Sequence, residues 1–453
     1  MPDQAYELPA PPSSDFRARP FLSSALFKIL LAAFLIRLVA AFPVHASGFG
    51  ADEKEFLFLA HQIADGKGFV DSNGDHSIRA PLYPALISLC VLLAPSSLIL
   101  PFLFTVVPGT VSVYAGYLFA RDFWRDERVA LTAAGILAFF PALVIYGSML
   151  MSESLFIPLF LLALFLARRL RTDDRPTTHV LFALVSALAV LTRAVFFGVF
   201  PILVAALLFL RHRAGIPLRR LLFAVAVWCL LLLPWTLRNY TIHHAFVPVS
   251  TFGGRSLLIG NNPFAHGTTK LDPGFFNWLA EQLAARGSPP LDSLSEEAVS
   301  AAEQSIALWY IAAHPLRALE LSVEKGYVFW IYPLSNRSQE HPLQAVLMAC
   351  DMVLWLGVIA GTVIARRKRV SMFPVWIVVA FFTAMHVVLH AEARYRLPLV
   401  PLLCVLAAGA ARVPLHRGAI LGDRRVRRAL IAACISLALL YGIAAWLVAH
   451  GSA

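Results

Sequence analysis

Apolar runs of about 20 residues recur along the whole chain, and short arginine clusters separate them. A run of that length is what a helix needs to cross a bilayer, so the repetition constrains the fold more than any single motif. Composition agrees. Of the 453 residues, 59% are hydrophobic and only 14% are charged. With a mean hydropathy of +0.71, a soluble core protein is excluded. The formal net charge of +11 does not point to nucleic acid, because the positive residues form no single patch. They sit between apolar runs, where membrane topology is written. The five cysteines, Cys90, Cys229, Cys350, Cys404 and Cys434, all lie inside apolar runs with no CxxC. Neither a disulfide nor a cysteine metal site is expected. Residues 1–20 read as a Pro-rich tail without a cleavable signal.

The positive-inside rule orders the spans. Arg17 and Arg19 precede the first, at 21–42, and place the N-terminus in the cytoplasm. Arg37 lies inside that span, placed either to snorkel or to face a polar cavity. The first outer loop, 43–80, is then periplasmic in a bacterium. Residues 81–120 read as one full span plus a short apolar helix that does not cross. Further crossings are predicted at 129–146, 155–167, 180–192, 194–210 and 221–235. A polar region follows at 239–343, read as a periplasmic loop region over the site, with an amphipathic helix near 295–313. Crossings at 345–365, 373–390, 397–411 and 429–449 complete the chain. Most of the 38 Lys and Arg residues fall on the predicted cytoplasmic side. The expected fold is an all-α polytopic bundle of about 11–13 crossing helices. It divides into a cytoplasmic tail (1–20), an N-terminal transmembrane module (21–238), the loop region (239–343) and C-terminal helices (344–453).

One stretch, 51–84, stands out between two apolar segments. It opens with Asp52, Glu53 and Glu55, and Phe56, Leu59, Ala60 and Ile63 follow at helical spacing. Gly66 and Gly68 stop that helix. A polar turn at 71–75 leads to Arg79 and then to Pro81, Tyr83 and Pro84. The reading is a short interfacial helix with a carboxylate at its start. A solvated helix start would also place acids at the positive end of the helix dipole. The topology brings Asp52, Glu55, Arg79, Glu153, Arg193, Arg238, Arg394 and Arg396 to one membrane face. Ionisable groups at the membrane edge are costly and usually functional. Arginine grips phosphate through paired donors, so a lipid-linked phosphate is the fitting substrate, with a carboxylate beside it as general base. Interface anchoring is the competing reading for any one of the arginines. His386 and His390, four apart near Glu392, have metal-like spacing. Packed or hydrogen-bonded histidines in a bundle are the preferred reading, with no metal and no cofactor expected.

These residues also carry a family likeness. The stretches ADEKEFLFLAHQIADGKGF, RAPLYPALISL, MSESLFIPLFLL, LTRAVFFGVFP, LPWTLRNYTIHHAFVPVSTFGGRSLLIGNNP and ARYRLPLVPLL follow one another between residues 20 and 410. In that order they resemble the GT-C glycosyltransferases that use polyprenyl-phosphate sugars. The resemblance is to the bacterial branch of family 39, with its protein O-mannosyltransferases and lipid A aminoarabinose transferases. It implies that Asp52 matches the first-loop catalytic acid and that Glu153 matches the acidic position of the second outer loop. Arg193, Arg394 and Arg396 fall where basic residues near the lipid phosphate belong. The chain has Glu55 and Phe56 where many relatives have a tyrosine, which leaves Asp52 and Glu53 as rivals for the key geometry. The expected catalytic set is Asp52, Glu53 and Glu153. The expected substrate-binding set is Glu55, Arg79, Tyr83, Arg193, Arg238, Arg394 and Arg396.

The implied chemistry is an inverting transfer from a polyprenyl-phosphate sugar to a hydroxyl on a glycan, lipid or protein acceptor. It takes place at the periplasmic face of a bacterial inner membrane, with membrane lipid around the bundle. A transporter or flippase for a lipid-linked sugar would also need arginines and a lipid groove, but would more often show matched halves with broken spans. A non-catalytic assembly subunit would tolerate loss of every outer carboxylate.

Overall fold

The computed structural model describes residues 24–46, 48–269, 271–331, 341–412 and six positions between 431 and 442. Among these residues, regular structure is entirely helical. The first helix, α1 (Ala25–Ala46), shows how the apolar runs are used. Leu31, Leu35, Val39 and Phe42 stay exposed on one face, while Ala33, Arg37 and Ala41 are buried on another. The exposed stripe suits lipid, and the small residues let neighbouring helices come close. After α1 comes α2 (Ala51–Ala64), the helix predicted in the 51–84 stretch. Gly66 ends it at φ +73, with the Gly66 amide donating to Ile63 O and Lys67 N to Gln62 O.

The 81–120 region divides into α3 (Leu82–Leu93) and α4 (Ile99–Trp124). At 1.5 Å per residue α3 is about 18 Å long and α4 about 39 Å, so one is short of a span and the other exceeds it. The predicted crossing at 129–146 is not continuous. It is α5 (Glu127–Phe139) followed by α6 (Pro141–Tyr146), with Phe140 extended between them. Pro141 has no N–H for the Leu137 carbonyl. Arg37 takes over that partner: Nη2 donates to Leu137 O at 3.2 Å, and Nη1 to Ala138 O at 3.2 Å and Ala33 O at 3.0 Å. Arg37 therefore neither snorkels nor faces a cavity, but is fully buried on helix-end carbonyls.

Next come α7 (Glu153–Arg169), α8 (Pro176–Thr192), α9 (Phe196–Ala214) and α10 (Leu218–His243). The last continues eight residues beyond its predicted end at 235. The 239–343 region, expected as loop with one helix, is largely helical where described. It contains α11 (Gly253–Ile259), α12 (Phe275–Ala285), α13 (Glu296–Ala313) and α14 (Pro315–Trp330). Ser295 caps α13 by accepting Ala298 N, with Glu296 and Glu297 in the first turn. Leu257, Leu258, Phe275, Leu279, Leu283, Ile306 and Ala307 give this region a small apolar core of its own.

The remaining helices are α15 (His341–Arg367), α16 (Phe373–Val388) and, after a 3-10 segment at Ala393–Leu399, α17 (Val400–Arg412). Five described stretches are long and apolar enough to cross a membrane: α1, α4, α10, the bulk of α15, and the run Ala393–Ala411 that includes α17. The shorter apolar helices are α3, α8, α9 and α16. The predicted tail at 1–20 and most of the predicted crossing at 429–449 lie outside the described residues.

Packing between α15 and α17 is very close. A Cβ on Gly361 would lie 1.9 Å from Leu406 O. A Cβ on Gly135 in α5 would meet nothing within 4 Å. Gly361→Ala is expected to cost about 1–3 kcal/mol through overpacking. Thermal melts in detergent should show Gly361→Ala several degrees below wild type, with Gly135→Ala unchanged or slightly higher.

Candidate active site

The site begins at the N-terminus of α2. The two rival carboxylates, adjacent in sequence, have different surroundings. Glu53 is fully buried. Its Oε2 accepts Gly50 N at 2.9 Å, closing the first turn, and its Oε1 accepts Leu150 N at 3.1 Å from the segment before α7. Asp52 instead lies between two arginines. Arg79 Nη2 donates to Oδ1 at 2.7 Å, and Arg394 Nη1 lies 2.5 Å from Oδ2. Burial pulls the Asp52 carboxyl upward, but Arg394 and Arg79 more than offset that and hold it down to about 2.

A second ion pair faces the same space. Glu153 opens α7, where the helix dipole favours a carboxylate, and Arg193 follows the last turn of α8, where it favours a cation. Arg193 Nη1 lies 2.7 Å from Glu153 Oε1 and 3.2 Å from Ser152 Oγ. Its guanidinium sits 5.9 Å from the Tyr395 ring centroid. The third carboxylate is Glu392, which pairs with Arg394 Nε and accepts the Thr269 hydroxyl. These groups line a cavity of about 750 Å³. Its other walls carry Ile145, Met149, Val195, Phe382 and Met385. The cavity lining thus combines charged and apolar side chains.

The structure brings together Asp52, Glu53, Arg79, Glu153, Arg193 and Arg394 from the sequence-derived set. The other four lie elsewhere. Glu55 is turned away and accepts Ser72 N at 3.1 Å and Ser72 Oγ at 2.6 Å. Arg238 braces the segment between α2 and α3, donating to His76 O at 2.6 Å and Phe69 O at 3.0 Å beside Trp235. Arg396 is buried, paired with Asp351 of α15 and donating to Phe329 O at 2.9 Å. Tyr83 is fully buried edge-on to Phe56, ring centroids 5.0 Å apart, where α3 packs on α2.

The lining also includes Glu392, Tyr395 and Thr269, which had no assigned role in the sequence. Glu392 was visible only as a neighbour of the histidines, although the alternation of Glu392, Arg394 and Arg396 was a usable signal. Thr269 carries no local pattern. His386 stacks on Tyr395 at 4.8 Å, and His390 bonds Ser256 Oγ at 2.8 Å and Tyr395 Oη at 3.0 Å. Lys325 is buried nearby, with Nζ 3.1 Å from Val388 O, Leu389 O and Asn261 Oδ1 at the end of α16.

No protein-family model matches the sequence. No curated protein matches it either. Solved structures do share the fold. The archaeal oligosaccharyltransferase AglB from Archaeoglobus fulgidus, in complex with an inhibitory peptide and a dolichol-phosphate, superposes with a TM-score of 0.52 at 16% identity, covering 96% of this chain and 56% of that one. The apo form gives 0.53 at 17% identity over 95% and 56%. ArnT from Cupriavidus metallidurans bound to undecaprenyl phosphate aligns at 0.42 with 14% identity over 86% and 79%, too loosely to bear on the fold. The chain spans just over half the length of the AglB chains. Its architecture is the polytopic, all-helical GT-C fold of a multi-pass membrane protein.

Two outcomes follow from the ion pairs. Glu153 is almost fully buried, so Arg193→Ala leaves its charge unanswered and should lower stability by about 3 kcal/mol. Adding Glu153→Gln to Arg193→Ala should recover most of the loss in denaturation experiments. For Asp52, the folded value near 2 lies below the unfolded value of about 3.9, so the unfolded chain binds the proton more readily. Its contribution is complete above about pH 4 and is lost as pH falls toward about 2. Asp52→Asn should melt below wild type at neutral pH, and the gap should close in acid.

Proposed function

We propose that the chain is a membrane glycosyltransferase of family 39 type. It moves a sugar from a polyprenyl-phosphate donor to an acceptor hydroxyl, with inversion. The observation that carries this reading is the Asp52 carboxylate held between Arg79 and Arg394 in a cavity that is also lined by apolar side chains. The apolar walls suit a polyprenyl chain and the arginines its phosphate. The AglB neighbour, solved in complex with a dolichol-phosphate, supports that donor class. The site faces the periplasm of a bacterial inner membrane, with the N-terminus in the cytoplasm. A transmembrane module at 21–238 carries the first loop, region 239–343 covers the site, and helices at 344–453 complete the bundle.

In the reaction, Asp52 accepts the proton of the acceptor hydroxyl. The oxygen attacks the anomeric carbon from the face opposite the phosphate. The new C–O bond forms as the bond from that carbon to the phosphate oxygen breaks. The bonding electrons leave with the polyprenyl phosphate, whose charge Arg394 and Arg193 stabilise. Glu153 orients Arg193, and Glu53 fixes the start of α2 so that Asp52 faces the cavity.

The test is transfer from a panel of radiolabelled polyprenyl-phosphate sugars to acceptors in host membrane extract. Wild type should label one acceptor class, with turnover reduced about 10²–10⁴-fold in Asp52→Asn. Donor binding without turnover in both proteins would identify a lipid-sugar transporter instead.

A further inference from the structure

The charges lining the cavity leave no surplus cation for a phosphate. Arg79 is held by Asp52, Arg193 by Glu153, and Arg394 by both Asp52 and Glu392. Glu53 adds a fourth carboxylate to the lining. An anionic ligand entering this wall adds net negative charge in a partly desolvated space unless an existing pair opens. The pairs differ in what opening would leave behind. Releasing Arg193 strands Glu153, whose side chain is only 1% exposed. Releasing Arg394 from Glu392 leaves that carboxylate with the Thr269 hydroxyl alone. Asp52 is different on both counts. Its side chain is 22% exposed, and it keeps Arg79 on its other oxygen if Arg394 departs.

Resting on the donor class proposed above, we infer that Asp52 is a resident competitor for Arg394, and that the donor's phosphate displaces it. Arg394 passes from Asp52 Oδ2 to a phosphate oxygen while Glu392 still steadies its Nε. Asp52 retains the Arg79 contact on Oδ1, and Oδ2 becomes free to receive the acceptor's proton. This settles a mismatch in the site. A carboxylate with two short arginine contacts is a weak base, and general-base catalysis works best when the base's pKa lies nearer the working pH. Loss of Arg394 removes one of the two cationic partners that hold Asp52 down. The base is therefore strengthened by the arrival of the group that will leave. Acceptor deprotonation then follows donor binding.

The experiment is equilibrium binding of radiolabelled undecaprenyl phosphate to the full chain in detergent. Uncharged undecaprenol serves as a control for folding and for the lipid groove. Asp52→Asn and Asp52→Ala, which remove the competing charge, should bind the phosphate at least about tenfold tighter than wild type, the scale of a close charge pair. Undecaprenol affinity should not change. Asp52→Glu, which keeps the charge, should stay within about twofold of wild type, and the gain should vanish in an Arg394→Gln background. Equal or weaker phosphate binding by both neutral variants, with undecaprenol affinity intact, overturns the exchange and leaves the donor class standing. Wild type that binds undecaprenol but not undecaprenyl phosphate overturns both.

Discussion

Charge that lies away from water has to be answered from within the chain, and much of this structure follows from the answers. Arg37 is answered by the carbonyls of a broken helix. Lys325 is answered by the carbonyls that end α16. Arg396, in the 3-10 segment before α17, is answered by Asp351 of α15. Each places a cation at an interruption or a crossing, where regular backbone pairing would otherwise fail or two helices would otherwise drift. The cavity uses the same device with exposed edges. There Asp52 keeps partial access to solvent, unlike the buried Asp351 beside Arg396.

The fold was largely legible because hydropathy reports directly on burial. Alternating apolar runs and arginine clusters located nearly every long helix, and the carboxylates and glycines of 51–68 marked both ends of α2. The short α3 followed from parity of the crossings. The break at Pro141 was less legible, since the apolar run continues through it, and only the partner arginine 104 positions upstream makes the interruption stable. The 239–343 region was under-read for another reason. Its helices are short and pack on one another, so no single stretch carries a strong period.

The candidate site was legible as a list of charges and much less as an arrangement. Asp52, Glu153, Arg193 and Arg394, chosen for their positions at helix ends, line one cavity. The same criterion admitted Arg238 and Arg396, which serve loop carbonyls and a buried carboxylate. Sequence gives the side on which a charge emerges but not the partner that claims it. Asp52 and Glu53 show this best: both open the same helix, and a rotation of one residue sends one to backbone amides and the other to arginines.

The break between α5 and α6 also bears on how the chain is assembled. Its stabilising donors come from α1, which is made first. Until α5 arrives beside it, Arg37 has only the carbonyl of Ala33 in its own helix. A lone α1 in a bilayer is therefore an incomplete span whose buried guanidinium favours capture of the fifth helix. The direction in which α6 leaves, and with it the placement of the segment that ends at Glu153, thus depends on a contact between two parts of the chain 100 residues apart.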